Sequence, residues 1–490
     1  MHITGFESAS LSDIRVVMEK DRHSRCFFTA LAERKDMARY REMLASGESV
    51  SVKTRDGAVL MNGIIERIET EEEPEWLKAR VVLVSRTILM DREAKRRVFQ
   101  NAEQTIEDIV RAFRCDGYVL KPCGDFMRTR PECVIIQKQR TDFQFLTDLT
   151  NAFGGGLWID PDLNLISVGL MSEQVSAEAS IPPGFQETLR GKTKFRYENG
   201  LKSVEFITVR RMRPGREIFI DYEKYRIMKV EIWETLENLY YRCQAVSGAI
   251  PAGELPVGGL VTLRAEVTDN KDSRNLGRIQ VRFLCEKENG YIEDMCGEPS
   301  KRYWMDYLSP YTGKDGGGVV MLPDVGDEVA VQIENRFPLV VGSRRNREIR
   351  EDCRNPDHKN ICIHRASQLE WADDTITVRN GDDVKIVITK DAVEVRRTER
   401  SRVLMKDDEI TARNGETEIR MEKDKVEIRH PKGAAQISND GFFASHSGKA
   451  EISAPSEAKL FSAGGGIKAD ATGTTLYGSM IDLKSAATVS

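Results

Sequence analysis

Residues 386–430 carry a repeated alternation of apolar and polar positions. The segments IVITKDAVEVRR (386–397) and IRMEKDKVEIRH (419–430) match at Ile, Lys-Asp, Val, Glu and Arg. Alternation of period two predicts β-strands, and each repeat predicts two strands of about eight residues joined by a tight turn. The predicted turn pairs are Lys-Asp at 390–391, 406–407 and 423–424, Asn-Gly at 380–381 and 414–415, and Asn-Asp at 439–440.

A strip of such strands has one apolar face and two open edges, so it cannot bury that face alone. A solenoid covers the face by stacking turns, and a homo-oligomer covers it by wrapping identical strips around one axis. Strands of this length are too short to enclose a core singly, so we favour a trimeric prism. Beyond residue 433 small residues increase, but apolar residues persist to Leu483, which favours a narrowing continuation over a disordered tail.

The first 250 residues predict a mixed, strand-rich domain. Apolar residues at helical spacing predict helices over 102–113 and 142–153, the second with Thr141 or Asp142 as its N-cap. Strands are predicted over 49–53, 79–85, 133–137, 204–209 and LWID at 157–160.

A smaller strand unit is predicted after a linker. Residues 251–260 (PAGELPVGGL) hold two prolines and three glycines, which is typical of a linker. Alternating runs follow over 277–283 and 327–334, within a unit of about 260–345. About five strands in so short a segment favour a small barrel.

Composition narrows the function classes. The 490 residues are 40% hydrophobic and 31% charged, with a net charge of −5. This acidic balance argues against a chain built to hold nucleic acid. The sequence shows neither a secretory signal nor an apolar run of membrane-spanning length, so we expect cytoplasmic assembly. Nine cysteines without a CxxC pair are typical of scattered thiols in a reducing compartment.

Three blocks of sequence resemble, in order, the VgrG-type spike proteins of contractile injection systems, which are related to the hub and spike of contractile phage tails. The motifs that carry the resemblance are GESVSVKTRDGAVLMNGIIERIE (47–69), MDREAKRRVFQNAEQTIEDIV (90–110), IQKQRTDFQFLTDLTNAFGGGLWID (136–160), LGRIQVRF (276–283), YWMDYLSPYTGKDGGGVVMLPDVGDEVAVQIENRFPLVVGS (303–343) and NICIHRASQLEWADD (360–374). Thr141 stands where the family usually has Ser, and Asn335-Arg336 replaces a Gly-Asp pair.

The resemblance implies a mainly β fold in three domains. A hub of two β-barrel subdomains with a few helices would occupy 1–250, an OB-type barrel 255–345, and a triple-stranded β-helix stalk 360–490. It implies a homotrimer at the baseplate centre that caps the tail tube and punctures the target envelope when a sheath contracts. We expect no C-terminal toxin domain, because the repeat pattern runs to Ser490.

The partners implied are the tail tube ring protein, baseplate proteins, a PAAR-type tip protein and effector cargo, with transient contact to the target envelope. Nucleic acid is not among them. A type VI secretion system, an extracellular particle and a tailed phage all remain open as settings, with the protein translocated on firing in the first.

Candidate chemistry is sparse. Four metal-ligating residues fall within twelve positions: Cys353, His358, Cys362 and His364. Thiolate and imidazole ligands suit zinc, but the spacing is not that of a standard finger. We therefore predict no metal site and favour a strand that enters the stalk, with metal binding as the alternative interpretation. No nucleophile elbow or HExxH motif is present, so we expect a non-enzyme with no catalytic residue and no cofactor. The alternative function is a tail-associated or secreted β-helix enzyme that degrades carbohydrate.

Overall fold

The computed structural model describes residues 1–72, 76–170, 185–198, 201–221, 223–248, 252–253, 260–284, 293–334, 337–345, 348–349, 351, 354–363, 367–381, 384–449, 457–462 and 465–478. The chain forms two compact units, Met1–Asn346 and Arg347–Ser490. Most of the predicted linker at 251–260 lies outside the described residues. Within the described residues, no helix has both the length and the apolar character needed to cross a bilayer.

The first part of unit one contains sixteen described strands and three α-helices. The strands are β1 (His2–Ile3), β2 (Ser10–Glu19), β3 (Arg25–Glu33), β4 (Val50–Lys53), β5 (Val59–Glu72), β6 (Trp76–Ser85), β7 (Ala94–Phe99), β8 (Val119–Cys123), β9 (Ile135–Thr141), β10 (Leu157–Asp160), β11 (Leu165–Gly169), β12 (Leu189–Glu198), β13 (Leu201–Thr208), β14 (Glu217–Ile220), β15 (Glu223–Glu234) and β16 (Leu239–Ser247). The helices are α1 (Met37–Ser46), α2 (Ile106–Arg111) and α3 (Asp142–Asn151).

An eleven-stranded sheet organises the part of the chain that precedes the predicted linker, residues 1–248, which is called the hub from here on. Its order is β1-β4-β5-β6-β3-β2-β15-β16-β13-β12, with β14 added beside β15. The inward side chains of these strands form one core with α1, in which Phe6 stacks on Tyr40 at 4.4 Å between ring centroids and meets Phe28 edge-on at 5.0 Å. The predicted strands at 49–53, 79–85 and 204–209 correspond to β4, β6 and β13.

Helices α2 and α3 both begin at a threonine cap. The Thr105 side chain accepts a hydrogen bond from the backbone N–H of Asp108, and Thr141 accepts one from that of Gln144. In return, the side chain of Asp108 or Gln144 accepts a hydrogen bond from the backbone N–H of its capping threonine. Each cap therefore satisfies two backbone N–H groups that have no partner within the helix. The prediction of a helix over 102–113 was too long, because residues 102–104 precede this cap.

A second core lies between these helices and the three-stranded sheet β10-β11-β8. The apolar face predicted for the helix at 102–113, now α2, is buried, with Ile106, Ile109 and Val110 at most 1% exposed. Phe99 and Phe113 stack against the fully buried Phe145 at 5.7 and 5.5 Å between centroids.

The barrel predicted after the linker is a five-stranded sheet of order β18-β17-β21-β22-β20. Its strands are β17 (Val261–Asp269), β18 (Gln280–Phe283), β20 (Asp306–Tyr307), β21 (Glu328–Glu334) and β22 (Phe337–Ser343). Strand β19 (Glu293–Asp294) lies between β18 and β20 in the sequence but belongs to another sheet. The alternation predicted over 277–283 and 327–334 is confirmed, since every second residue from Ile279 and from Val329 is buried.

The barrel is joined to the hub within unit one. Val98 and Ile136 of the hub lie in the same buried core as the barrel residues, and β19 pairs with β7. Across the same junction, the Arg97 guanidinium bonds to Asp142 at 2.7 Å and to Glu293 at 3.0 Å. Buried apolar contacts and a branched ion pair therefore hold the two parts together.

Unit two is a long antiparallel meander. Eleven strands pair in chain order, and three more form a second sheet. They are β23 (Lys359–Ile363), β24 (Ser367–Ala372), β25 (Thr375–Asn380), β26 (Val384–Thr389), β27 (Ala392–Thr398), β28 (Ser401–Lys406), β29 (Glu409–Asn414), β30 (Thr417–Glu422), β31 (Lys425–His430), β32 (Gly433–Ser438), β33 (Gly441–His446), β34 (Glu457–Ser462), β35 (Gly465–Asp470) and β36 (Gly473–Gly478).

The repeat is confirmed with a small change of register. Most strands have six residues rather than eight, and two-residue turns join all neighbouring strands from β26 to β33. Lys406 and Asn414 end their strands instead of opening the turns, because each pairs with the residue that follows its turn. Gly415 takes φ of +65° in its turn, a conformation that side-chain-bearing residues rarely adopt.

Candidate functional site: the apolar face of the repeat strip

The repeat strip, defined as strands β23–β33, places its apolar residues on one face in two continuous columns. Cross-strand partners in each column are directly opposite, so apolar side chains contact apolar side chains over ten successive strands. The first ladder is Trp371, Ile376, Ile388, Val393, Met405, Ile410, Met421, Val426, Ile437 and Phe442. The second ladder is Leu369, Val378, Ile386, Val395, Val403, Ala412, Ile419, Ile428, Ala435 and Ala444.

Both ladders are open to solvent in a single chain. Ile388 is 40% exposed, Val395 42% and Phe442 65%. Soluble monomers rarely expose a contiguous apolar patch of more than a few hundred Å², and larger patches mark interaction sites. The ladders are therefore the strongest candidate for a functional surface in unit two.

The opposite face of the strip is charged, and part of its charge is paired within the chain. Glu427 lies between Arg429, at 2.7 Å, and Lys425, at 3.0 Å. These two cations, Arg429 first, lower the pKa of Glu427 to about 2. The charged face needs no partner for such pairs, whereas the apolar face does.

The predicted cysteine–histidine cluster is only partly described. Cys353 and His364 lie outside the described residues. His358 Nδ1 lies within hydrogen-bond distance of Glu370 Oε1, at 2.7 Å, and Cys362 stands opposite Gln368 in the β23–β24 pair. Among the residues that the structure describes, no three His, Cys, Asp or Glu side chains are grouped as a metal would require. The prediction of no metal site, with this cluster as the alternative, stays untested.

A buried charged cluster in the hub was not predicted. Arg213 bonds to Asp160, and its other terminal nitrogen bonds to Asp162 at 2.7 Å. Burial and the neighbouring Asp162 raise the pKa of Asp160 well above its ordinary value of 3.8. The sequence signal was the Asp-Pro-Asp of residues 160–162, but nothing local pointed to an arginine fifty positions away.

We expect this cluster to make hub stability depend on pH. A carboxyl whose pKa is raised by folding is stabilising below its unfolded value of 3.8, and this contribution is lost as pH rises through the raised value. Asp160→Asn should therefore melt at the same temperature as the parent near pH 4 and at least about 2 °C higher near pH 8.5. Calorimetry at both values measures this, with the exposed Asp116→Asn as control; an equal difference at both would contradict it.

The barrel matches a known protein family. Residues 263–343 match the family model described as the type VI secretion system/phage-baseplate injector OB domain. No curated protein matches the chain.

Several solved structures are similar to the chain at low identity. The E. coli c3393 protein, a component of the type VI secretion system with structural similarity to the T4 bacteriophage tail proteins gp27 and gp5, is 15% identical over 70% of this chain and 99% of its own, with a TM-score of 0.48. A chain of the half-lidded Francisella PdpA-VgrG complex is 8% identical over 90% and 84%, with a TM-score of 0.46. The 43 kDa tail protein of prophage MuSo2 from Shewanella oneidensis is 12% identical over 49% and 94%, with a TM-score of 0.36.

The barrel match agrees with the motifs at 276–283 and 303–343, which carried the resemblance in this part of the sequence. Residues 263–343 are therefore similar to the injector OB domains of type VI secretion systems and phage baseplates.

Proposed function

We propose that this protein is the trimeric spike and hub at the centre of a contractile baseplate, where it caps the tail tube and pierces the target envelope. The observation that carries the proposal is the pair of apolar ladders, which follow one face of ten strands and stay exposed in one chain. The barrel's similarity to injector OB domains supports the same role.

Strand length favours three copies. A six-residue strand spans about 20 Å at ~3.3 Å per residue. Three such strips around an axis place each face about 6 Å from that axis, close to half of the ~10 Å that separates packed sheets. Four strips would place each face about 10 Å from the axis, which leaves a void that side chains cannot fill.

The proposed domains are the hub over 1–250, the OB barrel over 255–345 and the spike over 360–490. The hub would meet the tail tube ring and the baseplate, and the spike end a PAAR-type tip protein or cargo. The joined cores and the Arg97 ion pairs suit a part that must transmit force from hub to barrel. Sheath contraction supplies the work, so the role requires no enzymatic step and no bound cofactor.

Oligomeric state tests the proposal directly. We expect sedimentation of the full chain at micromolar concentration to give a trimer, which resists SDS until it is heated. Deletion of residues 360–490 should abolish the SDS-resistant species, because it removes both ladders. A monomeric or dimeric full chain, or an SDS-stable trimer of the deleted chain, would contradict the proposal.

A further inference from the structure

One side edge of the repeat strip carries a column of cations. Five successive strands contribute one each, and every neighbouring pair is directly opposite across the sheet. This basic column is Arg379, Lys385, Arg396, Arg402 and Arg413.

Like charges placed directly opposite on neighbouring strands destabilise a sheet. Local carboxylates offset part of this charge: Glu394 lies 3.9 Å from Arg402, Glu399 pairs with Arg396, and Glu418 stands opposite Arg413 across the sheet. Arg413 also donates its Nε–H to the carbonyl of Gly415 at 3.1 Å. The column nevertheless places five cations along one edge of the strip.

The other side edge of the strip is acidic. It is formed by the turns that join β24 to β25, β26 to β27, β28 to β29 and β30 to β31. The acidic turns are defined by their exposed carboxylates Asp373, Asp374, Asp391, Asp407, Asp408 and Asp424. Two of the four turns also hold a lysine, Lys390 or Lys423, so six acidic side chains stand against two basic ones. Within the described part of the chain, none of these six forms an ion pair.

The two charged edges cannot meet within one chain. Arg402 lies four residues before the end of β28, and Asp408 lies in the turn beyond that end, which places the two about 15 Å from each other. In a threefold arrangement with the ladders inward, however, the basic edge of each copy adjoins the acidic edge of the next.

We propose that the basic column of one copy forms ion pairs with the acidic turns of the neighbouring copy and closes each corner of the prism. This inference rests on the proposed trimer and names the surface that joins its copies. The partner is a second copy of this chain, chosen by charge complementarity between its two edges.

The axial positions of the charges agree with this pairing. Asp407 and Asp408 lie in the turn between β28 and β29, the two strands that carry Arg402 and Arg413. Copies related by a threefold axis share the same height, so these four charges come to one level. On β30 the column changes sign at Glu418, and the turn that leaves β30 holds Lys423 beside Asp424, so the pairing is strongest at the level of β28 and β29.

Cross-linking tests the corner contact in the full chain. We expect Arg402→Cys combined with Asp408→Cys to give, on mild oxidation, a covalent trimer that survives boiling in SDS without reductant. Arg413→Cys with Asp407→Cys is the second pair, so that the direction of one side chain does not decide the result. Each single variant controls for the nine native cysteines and should give no covalent trimer.

Charge reversal supplies an independent readout. Arg402→Glu with Arg413→Glu should lower the temperature at which the trimer dissociates, and Asp407→Lys with Asp408→Lys should do the same. The fourfold variant should recover at least half of either loss, because opposite charges face each other again. A chain that is trimeric by sedimentation but shows neither cross-links nor recovery overturns the corner contact and leaves the proposed function standing. A monomeric parent chain overturns both.

Discussion

Ile388→Asp should convert the trimer to monomers at micromolar concentration. Ile388 lies in the first ladder between Ile376 and Val393, and in the prism its side chain would point toward the axis. An aspartate there buries three carboxylates close to one another, with no cation in either ladder. The penalty should be about 3–5 kcal/mol per copy, which exceeds what the lost contacts alone would produce. Sedimentation velocity and SDS resistance measure the loss.

The neighbouring residue supplies a matched control. Val387 is also β-branched and lies on the same strand, but it belongs to the opposite face, between Thr377 and Glu394. Val387→Asp should remain trimeric, since its carboxylate stays in water. If both variants dissociate, the loss follows from damage to the strand and not from burial of the ladder. If neither dissociates, the apolar face is not the interface between copies.

The strip could be predicted because its determinants are local. Period-two alternation fixes which side chains share a face, and short turns fix which strands are neighbours. The predicted turn at 406–407 was displaced by one residue from the observed turn at 407–408. Sequence alone does not show which two residues of such a segment form the turn until the cross-strand pairing is known. The sequence also predicted that another copy of the chain must bury the apolar face. The complementary charges of the two edges became apparent only once the pairing of the strands was known.

The hub was less predictable because its contacts are distant in sequence. Helix α1 was not predicted: only Tyr40 and Met43 are buried, which leaves no apolar stripe of helical period. Tyr40 is held instead by stacking on Phe6, thirty-four positions earlier. The Asp160–Arg213 pair likewise depends on how the chain returns and has no local pattern.

A hub variant should separate the stability of the two units. Phe145→Ala should destabilise the hub by about 3–5 kcal/mol, because it empties a fully buried ring site between Phe99 and Phe113. The Arg97 guanidinium lies 5.1 Å from the Phe113 ring centroid, so the cavity also adjoins the hub–barrel ion pairs. We expect the hub transition in calorimetry to fall by several degrees.

The repeat strip belongs to the other unit, so the Phe145→Ala protein should still form SDS-resistant trimers at room temperature. Phe219→Ala is the matched control, because Phe219 is half exposed in the same unit and its loss leaves no enclosed cavity. A parallel loss of hub stability in both variants would show that ring removal itself, rather than the buried site, is responsible. Loss of the trimer in Phe145→Ala alone would show that the hub, and not only the ladders, holds the copies together.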